Sequence, residues 1–272
     1  MLSLCATPIG NLKDITRRVV EAFTACDVVY CEDTRHTLQL LNHLDIKKPL
    51  VSCHQHNEKQ RAEEVVALLR EGKEVVYASD AGMPGVSDPG QALVAACIRE
   101  NLPYTVLPGA SAVLTAAVMS GFCPTPFSFY GFLPRENKPA KAMLEEISRL
   151  KHLVLLYESP QRVQKTLSLL LDALGDWDCA VLRELTKKFE EVKRGSISGL
   201  IPLYETPPKG ECVIALYPNE QTKETPPEAL DGLLSAALED GLSVRDAAAF
   251  AAEKLGVSKK EAYSRALFLQ KG

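Results

Sequence analysis

The chain has 272 residues, of which 46% are hydrophobic and 24% charged, and its net charge is −4 at pH 7. This composition excludes a disordered chain. The length is sufficient for about two domains, each with a core of its own. The acidic balance argues against nucleic-acid binding over the whole surface but is compatible with a local basic face.

The cysteine pattern predicts reduced thiols. Eight cysteines are scattered along the chain without a Cys-x-x-Cys pair, as expected of small apolar side chains in a reducing compartment. No metal site is expected, because the one Cys/His cluster, at 53–56, lacks a second ligand pair. No apolar run reaches the roughly 18 residues of a membrane helix, and no signal peptide is recognisable. We therefore expect a cytoplasmic protein.

Strand and helix patterns alternate along residues 1–120. The predicted strands cover residues 2–6, 27–31, 49–53, 73–79 and 104–107. The predicted helices cover residues 14–25, 34–44, 57–70, 89–100 and 110–120. Such alternation predicts βαβ units around a mostly parallel sheet.

The pattern breaks at residues 121–126, Gly-Phe-Cys-Pro-Thr-Pro, where we place a domain boundary. Beyond it the sequence predicts four strands, at 127–130, 153–157, 179–182 and 212–216. It also predicts two helices, at 140–150 and 163–174, and a hairpin near 189–194. The predicted architecture is α/β: an N-terminal lobe (1–120), a second α/β lobe (121–218) and a small C-terminal helical domain (225–272).

The C-terminal part reads as three short helices after a polar, proline-containing linker at 219–227. The helical patterns cover 228–239, 244–255 and 259–269. Ser258 and Glu261 fit a capping box, and the joint at 256–258 is similar to that of a helix-turn-helix.

Three loops rich in Gly and Pro each follow a predicted strand of the first lobe. They read Ala-Thr-Pro-Ile-Gly-Asn-Leu at 6–12, Ser-Asp-Ala-Gly-Met-Pro-Gly-Val-Ser-Asp-Pro-Gly at 79–90, and Leu-Pro-Gly-Ala-Ser-Ala at 107–112. Open α/β sheets bind ligands at the carboxyl ends of their strands, where these loops should converge. Glycine lets the backbone approach a ligand closely, so the sequence predicts a nucleotide-like ligand.

The loops match neither the P-loop nor the dinucleotide fingerprint. The second loop carries Asp80 and Asp88 and no basic residue, which is unusual for a phosphate cradle. A ligand with a cationic reactive centre fits better, and the sulfonium of S-adenosylmethionine is one such group.

Eight stretches, in order across residues 1–218, resemble the tetrapyrrole methylase superfamily, the class III methyltransferases. They lie at 6–12, 31–35, 56–58, 79–90, 108–111, 131–134, 157–160 and 183–188. Within it they are similar to the branch that methylates the ribose 2′-oxygen of a cytidine in 16S rRNA of the small ribosomal subunit. The first two loops depart from the Gly-x-Gly-Pro-Gly-Asp and Gly-Gly-Asp-Pro patterns of the tetrapyrrole branch.

The resemblance implies two α/β lobes in a homodimer, with S-adenosylmethionine in the cleft between the lobes. It assigns cofactor binding to Pro8, Ser79, Asp80, Ala81, Gly82, Val86, Ser87, Ala110, Ser111, Ala112, Tyr157, Glu158, Leu182, Gly210 and Glu211. For Tyr157 and Leu182, core packing is an equally good interpretation.

A ribose hydroxyl is a poor nucleophile, so a base or a cation beside its oxygen should assist methyl transfer. The candidate catalytic residues are Glu184, Lys187, Glu32 and Asp33, with Glu58 considered beside them, and a structural salt bridge is the alternative for each. The candidate contacts to rRNA phosphates are Arg35, Arg135, Lys138, Lys188, Lys259 and Lys260.

Two other functions fit the same patterns. A small-molecule methyltransferase of the tetrapyrrole type would need an apolar cleft and no RNA. A non-catalytic ribosome-assembly factor would bind a nucleotide and RNA without transferring a methyl group. The loop sequences favour the rRNA methyltransferase.

Overall fold

The computed structural model describes residues 1–219, 227–255 and 259–271, and over these residues ten strands form two five-stranded sheets. The first sheet is parallel and has the order β3-β2-β4-β1-β5. Its strands are β1 (Leu2–Cys5), β2 (Val28–Cys31), β3 (Leu50–Ser52), β4 (Val75–Ala78) and β5 (Tyr104–Leu107). Because β4, β1 and β5 are neighbours, the three Gly/Pro loops that follow them leave the sheet side by side.

Five helices accompany the first sheet, as the alternating pattern predicts. They are α1 (Arg17–Ala25), α2 (Thr34–His43), α3 (Glu58–Arg70), α4 (Gln91–Arg99) and α5 (Ala112–Met119). The side chains of Thr16, Asp33 and Ser111 accept backbone N–H bonds at the starts of α1, α2 and α5. These N-caps satisfy donors that the helix itself leaves unpaired.

The second sheet is mixed and has the order β6-β7-β10-β8-β9. Its strands are β6 (Phe127–Phe132), β7 (Leu153–Glu158), β8 (Asp178–Arg183), β9 (Glu191–Ser196) and β10 (Cys212–Tyr217). Only β6 and β7 pair in parallel, and every other pair is antiparallel. The associated helices are α6 (Asn137–Ile147), α7 (Val163–Leu174) and the short α8 (Ile197–Leu200).

Helix α5 belongs to the chain of the first lobe but packs on the second sheet. Its Val113 and Ala116 share one buried cluster with Leu155 of β7 and Val213 of β10. Helix α5 therefore links the chain of the first lobe to the second sheet, and residues Met1–Pro218 form one compact unit. The predicted division of this unit into two domains at residue 121 stays a prediction.

Residues Asn219–Gly272 form a second unit. It contains α9 (Pro227–Glu239), α10 (Val244–Leu255) and α11 (Lys259–Lys271). Their leucine and alanine side chains, among them Leu234, Ala248 and Ala266, make the core of this unit. The predicted capping box and helix-turn-helix joint at 256–261 lie outside the residues whose side chains are described.

Across the described parts of the chain, no helix combines the length and the apolar character that a membrane crossing requires.

Candidate functional site

The first two Gly/Pro loops are held together by a short antiparallel bridge. Thr7 N–H donates to Gly82 O at 2.9 Å, and Gly82 N–H donates to Thr7 O at 3.0 Å. The Thr7 hydroxyl also donates to Ser79 O at 3.2 Å. These bonds fix the start of the second loop against the first.

The third loop meets the first through glycine. A side-chain Cβ at Gly109 would lie 2.9 Å from Ala6 Cβ, closer than real Cβ atoms approach. At Gly82, where φ is +82°, a Cβ would lie 3.3 Å from Ile9 Cγ2 and 3.8 Å from Ala110 O. The convergence predicted from the sequence thus depends on glycine at 82 and 109.

A cavity of about 330 Å³ lies between these loops and the second sheet. From the first lobe it is lined by Ile9, Glu32, Asp80, Ala81, Gly82, Met83, Val86, Ser87, Asp88, Ser111 and Ala112. From the second lobe it is lined by Phe132, Tyr157, Leu185, Glu211, Cys212 and Val213. Its size and its mixed apolar and polar lining are typical of small-ligand sites.

One wall of the cavity is acidic. Burial, followed by the charge of Asp80, raises the pKa of Glu32. Burial, followed by the charges of Glu32 and Asp80, raises the pKa of Asp88 to about 6. Asp80 is held in place by the Asp33 N–H at 3.0 Å and by His36 Nδ1 at 3.1 Å. A cationic ligand would relieve the repulsion among these carboxylates.

The N-terminus of helix α5 brings partial positive charge to the cavity, opposite in sign to the acidic wall. Ser111 and Ala112, at its N-terminus, line the cavity. Backbone N–H groups and the helix dipole at such an end favour a negative group. The site therefore suits a ligand that carries a cation and a carboxylate, as S-adenosylmethionine does.

Lys187 lies beside the cavity between two carboxylates. Its Nζ is 2.8 Å from Glu184 Oε1 and 2.7 Å from Glu211 Oε2. Burial lowers the pKa of Lys187, but the two ion pairs outweigh burial and the pKa is raised. The hydrogen bond from Lys187 in turn lowers the pKa of Glu184. This arrangement keeps Lys187 protonated and Glu184 ionised.

Glycine is required on both sides of this group. A Cβ at Gly10 would collide with the aliphatic chain of Lys187, and a Cβ at Gly210 would collide with the carboxyl group of Glu184. Gly10 lies in the first loop of the first lobe, so Lys187 reaches across the cleft and packs against the opposite lobe.

Backbone strain is concentrated near the cavity. Of the non-glycine residues with positive φ in the described chain, Ser87 (+62°), Glu184 (+54°) and Thr186 (+67°) lie in the loops that face it. Residues held in this region carry a conformational penalty and tend to cluster at functional sites.

The structure brings many of the predicted residues together. The predicted residues that line the cavity are Glu32, Asp80, Ala81, Gly82, Val86, Ser87, Ser111, Ala112, Tyr157 and Glu211. Pro8, Ser79, Ala110 and Gly210 neighbour lining residues without lining the cavity themselves.

Two predicted cofactor residues are placed in packed surroundings instead. Leu182 is fully buried in the apolar cluster on α5. Glu158 follows Tyr157 on β7 and so points to the other face of the sheet. There its carboxylate accepts bonds from the Ser159 N–H at 2.8 Å and from the Thr166 hydroxyl at 2.6 Å.

Asp33 and Glu58 have clear structural partners. Asp33 caps α2, and its hydrogen bonds from Arg35 hold its pKa well below the usual range. Glu58 Oε1 accepts from the Gly90 N–H at 2.8 Å and from the Ala92 N–H at 2.7 Å, and so caps α4.

Among the predicted RNA contacts with described side chains, none lines the cavity. Arg135, Lys138 and Lys188 are exposed, and Arg35 is exposed but paired with Asp33. Lys188 Nζ lies 5.5 Å from the centroid of the Phe189 ring. The side chains of Lys259 and Lys260 lie outside the described part of the structure.

Sequence reasoning missed seven lining residues: Ile9, Met83, Asp88, Phe132, Leu185, Cys212 and Val213. Five of them lie inside the sequence motifs described above. Asp88 could have been identified because it lies in the acidic second loop. Cys212 and Val213 carried no signal, because they belong to a buried strand pattern.

Comparison with protein families gives two matches. Residues 1–201 match the family model described as Tetrapyrrole (Corrin/Porphyrin) Methylases. Residues 224–270 match the model described as RsmI C-terminal HTH domain.

Two relatives share the name ribosomal RNA small subunit methyltransferase I. The protein from Streptococcus pyogenes serotype M1 is 40% identical over 268 residues, which are 97% of this chain and 93% of the relative. The protein from Thermotoga maritima is 42% identical over 220 residues, which are 80% of this chain and 99% of the relative.

Solved structures share the fold at low identity. A cobalt precorrin-4 methyltransferase superimposes with a TM-score of 0.61 at 19% identity, covering 79% of this chain and 94% of its own. Uroporphyrin-III C-methyltransferase from Thermus thermophilus, solved with S-adenosyl homocysteine, gives a TM-score of 0.57 at 16% identity, covering 79% and 96%. With the family model matching residues 1–201 and the near-full-length relatives, the chain is a methyltransferase and belongs to the tetrapyrrole (corrin/porphyrin) methylase family.

Proposed function

We propose that this methyltransferase transfers a methyl group from S-adenosylmethionine to the ribose 2′-oxygen of a cytidine in 16S rRNA of the small ribosomal subunit. The observation that carries the proposal is the 40% identity, over 97% of the chain, to a ribosomal RNA small subunit methyltransferase I. The two solved structures described above, named for precorrin and uroporphyrin substrates, are only 19% and 16% identical to this chain, so their likeness concerns the fold.

The cavity supports the choice of methyl donor. S-adenosylmethionine supplies an electrophilic methyl group on a sulfonium centre. The first turn of α5, with Ser111 and Ala112, would hold its carboxylate, and Asp80 and Asp88 would face its positive charges. Gly82 allows the backbone of the second loop to come close to the ligand.

The residues beside the cavity support a transfer to oxygen. Alignment of the hydroxyl with the methyl group and exclusion of water would lower much of the barrier. Lys187, kept protonated by Glu184 and Glu211, would stabilise negative charge as it develops on the 2′-oxygen. Glu184 and Glu32 are the candidates to accept the hydroxyl proton, and the raised pKa of Glu32 favours it for that role.

RNA binding would use exposed cations of the chain. Arg135, Lys138 and Lys188 are exposed and would contact phosphates, as would Arg35, Lys259 and Lys260 by their position in the sequence. A ribosomal substrate and the absence of disulfides among the eight cysteines fit a cytoplasmic location.

We also propose a homodimer. Helix α5 buries one face on the second sheet, but its Leu114 and Val118 are 58% and 73% exposed. Tyr104 and Val106 on the edge strand β5 are exposed as well. Leu114 and Val118 lie one helical turn apart, and exposed apolar side chains that are neighbours in this way mark interaction surfaces. Light scattering after size exclusion should give twice the chain mass, and a monomer at micromolar concentration would contradict the dimer.

The decisive experiment is transfer of labelled methyl groups from S-adenosylmethionine to small ribosomal subunits from a strain lacking this gene, and in parallel to naked 16S rRNA from that strain. Nuclease digestion and mass spectrometry would identify the product nucleoside. Label in 2′-O-methylcytidine supports the proposal, and the ratio of the two rates identifies the preferred substrate. Donor binding without label in either RNA would contradict it and favour a small-molecule substrate or an assembly factor.

A further inference from the structure

Phe132 is an aromatic side chain of the cavity for which the catalytic and donor-binding assignments leave no role. It is the last residue of the edge strand β6, it lines the cavity, and it is 53% exposed. The other aromatic ring in the lining, that of Tyr157, is only partly exposed. An exposed phenyl ring at the mouth of a cavity is available to a partner that arrives from outside.

The backbone fixes the place of this ring. The pairing of β6 with β7 shifts register between Phe129 and Phe132, as at a β-bulge. Gly131 within the shift has φ +66°, and a Cβ there would lie 3.1 Å from Ser87 Oγ. The end of β6 therefore touches the second loop of the first lobe, and Phe132 emerges beside that contact.

The ring is supported by other aromatic residues. Its centroid lies 5.6 Å from that of Tyr157, with 60° between the planes. Tyr157 meets Phe129 in the same manner, at 4.8 Å and 66°. Edge-to-face contacts of this kind are favourable and hold Phe132 in position despite its exposure.

Basic residues follow directly in the chain. Arg135 and Lys138 come three and six residues after Phe132, and both are exposed. An aromatic ring followed in the chain by exposed cations is suited to hold unpaired RNA, because the ring can stack on a base and the cations can bind phosphates.

We infer that Phe132 stacks on a nucleobase of the RNA substrate, at or next to the nucleotide whose ribose is methylated. The inference rests on the proposed function, since it assumes an RNA substrate. The exposure of the Phe132 ring favours an RNA base, rather than the adenine of the methyl donor, as its stacking partner. Small-ligand sites enclose most of the ligand surface, and this ring is too exposed for that. The donor would lie deeper, among the loops of the first lobe.

The test compares Phe132→Ala, Phe132→Leu and Phe132→Tyr with Phe127→Ala. Phe127 begins the same strand, is 36% exposed and does not line the cavity, so it is a matched control. Three quantities are measured for each variant: the Kd for S-adenosyl homocysteine by calorimetry, the Kd for subunits by sedimentation, and KM and kcat for methyl transfer.

We expect Phe132→Ala and Phe132→Leu to weaken RNA binding and raise KM for RNA about tenfold or more. The Kd for S-adenosyl homocysteine should stay within about twofold, because the donor would lie deeper in the cavity than the exposed ring of Phe132. Phe132→Tyr should bind like the wild type, since it retains a ring, and Phe127→Ala should too.

Two results would overturn the inference. RNA binding by Phe132→Leu equal to that of the wild type would show that the ring serves packing only. Equal loss of donor and RNA binding in Phe132→Ala would place the ring on the donor. Failure of the proposed function is a separate result: a wild-type protein that transfers no methyl group to rRNA. Direct RNA binding still decides the role of Phe132 in that case.

Discussion

Lys187 and Glu184 form an ion pair beside the cavity, with Lys187 Nζ 2.8 Å from Glu184 Oε1. The same ammonium group lies 2.7 Å from Glu211 Oε2. Because two carboxylates surround it, Lys187 remains a cation at neutral pH and is unsuited to act as a base. Its role in methyl transfer is therefore electrostatic, and a proton acceptor has to be found among the carboxylates.

Replacing this cation should impair the chemical step more than binding. For Lys187→Met we expect kcat to fall about 100-fold, as for other electrostatic groups at reacting centres. The Kd for S-adenosyl homocysteine should change by less than about threefold, since Lys187 does not line the cavity. Steady-state kinetics and calorimetry measure both.

Lys193→Met is the control for this prediction. Lys193 also pairs with a carboxylate, at 3.7 Å from Glu191 Oε1, and lies on the strand that follows the same loop. Equal losses of kcat in the two variants would show that net charge on the hairpin, rather than the position of Lys187, is responsible.

The strained backbone next to Lys187 predicts a trade between stability and activity. Thr186 has φ +67°, and its buried hydroxyl finds no hydrogen-bond partner among the described residues. Thr186→Gly removes both penalties, but glycine also gives the unfolded chain more conformational entropy. The net effect we expect is a rise of about 1 kcal/mol in the free energy of unfolding. The Tm should rise by about 2 to 4 °C, while kcat should fall several-fold because the loop loses its fixed shape.

Asn101→Gly is the matched substitution, since Asn101 has φ +52° and lies at an exposed helix end. Asparagine tolerates this conformation, so its replacement should change the Tm little and activity not at all. A Thr186→Gly variant that is less stable than the wild type would show that contacts of the threonine outweigh its strain.

Local patterns were enough to predict the fold. The β4, β1 and β5 loops could be located because Gly, Pro and strand periodicity are local features, and the meeting of loops at one edge follows from parallel strands. The first sheet and its helices follow the predicted alternation, and the second sheet and the helical C-terminal region agree with the strand and helix patterns predicted there.

The side-chain partners depended on contacts between distant parts of the chain. Tyr157 and Glu158 are adjacent in a motif, yet only the pairing of β7 decides that the first faces the cavity and the second faces Thr166. The position of Phe132 depends on a register shift in β6, where Gly131 closely approaches Ser87 of a distant loop. Such tertiary contacts leave no periodic trace in the sequence.

Glu58 supports the second loop from a distance of 32 residues. Its carboxylate accepts the N–H of Gly90, the last residue of that loop, and the N–H of Ala92 in α4. Glu58→Ala leaves both donors unsatisfied, and we expect a loss of about 1 to 2 kcal/mol in the free energy of unfolding. Donor affinity should fall about three- to tenfold, because the loop that lines the cavity becomes mobile.

Chemical unfolding and calorimetry check this prediction, with Glu58→Gln as the comparison. The glutamine keeps one oxygen acceptor, so it should recover a large part of the stability and of the affinity. Loss of donor binding in both variants at unchanged stability would instead place Glu58 on the ligand.

The acidic wall predicts a pH dependence for donor binding. The pKa of Asp88 is about 6, raised by burial and by the charges of Glu32 and Asp80. A cationic donor favours the ionised carboxylate, so affinity should rise with pH between about 5 and 7 as Asp88 loses its proton. Calorimetric titrations in buffers of different ionisation enthalpy should show proton release near pH 6, and Asp88→Asn should abolish that release. Release unchanged in the variant would assign the proton to Glu32.

The Asp88 carboxyl should also lower the stability of the unliganded protein as the pH rises. A carboxyl whose pKa is higher in the folded than in the unfolded chain stabilises the fold at low pH, and that stability is lost between about pH 4 and 6. For a half-buried group the loss should amount to about 1 to 2 kcal/mol. Asp88→Asn carries no such charge, so it should be more stable than the wild type at pH 7.5 and nearly equal to it at pH 4. Urea unfolding at the two pH values measures the difference in free energy of unfolding between the variant and the wild type. The contributions of the other titrating groups cancel in this difference, because both proteins contain them. A variant less stable than the wild type at pH 7.5 would mean that the ionised Asp88 has a favourable partner in the folded chain and that its pKa is not raised.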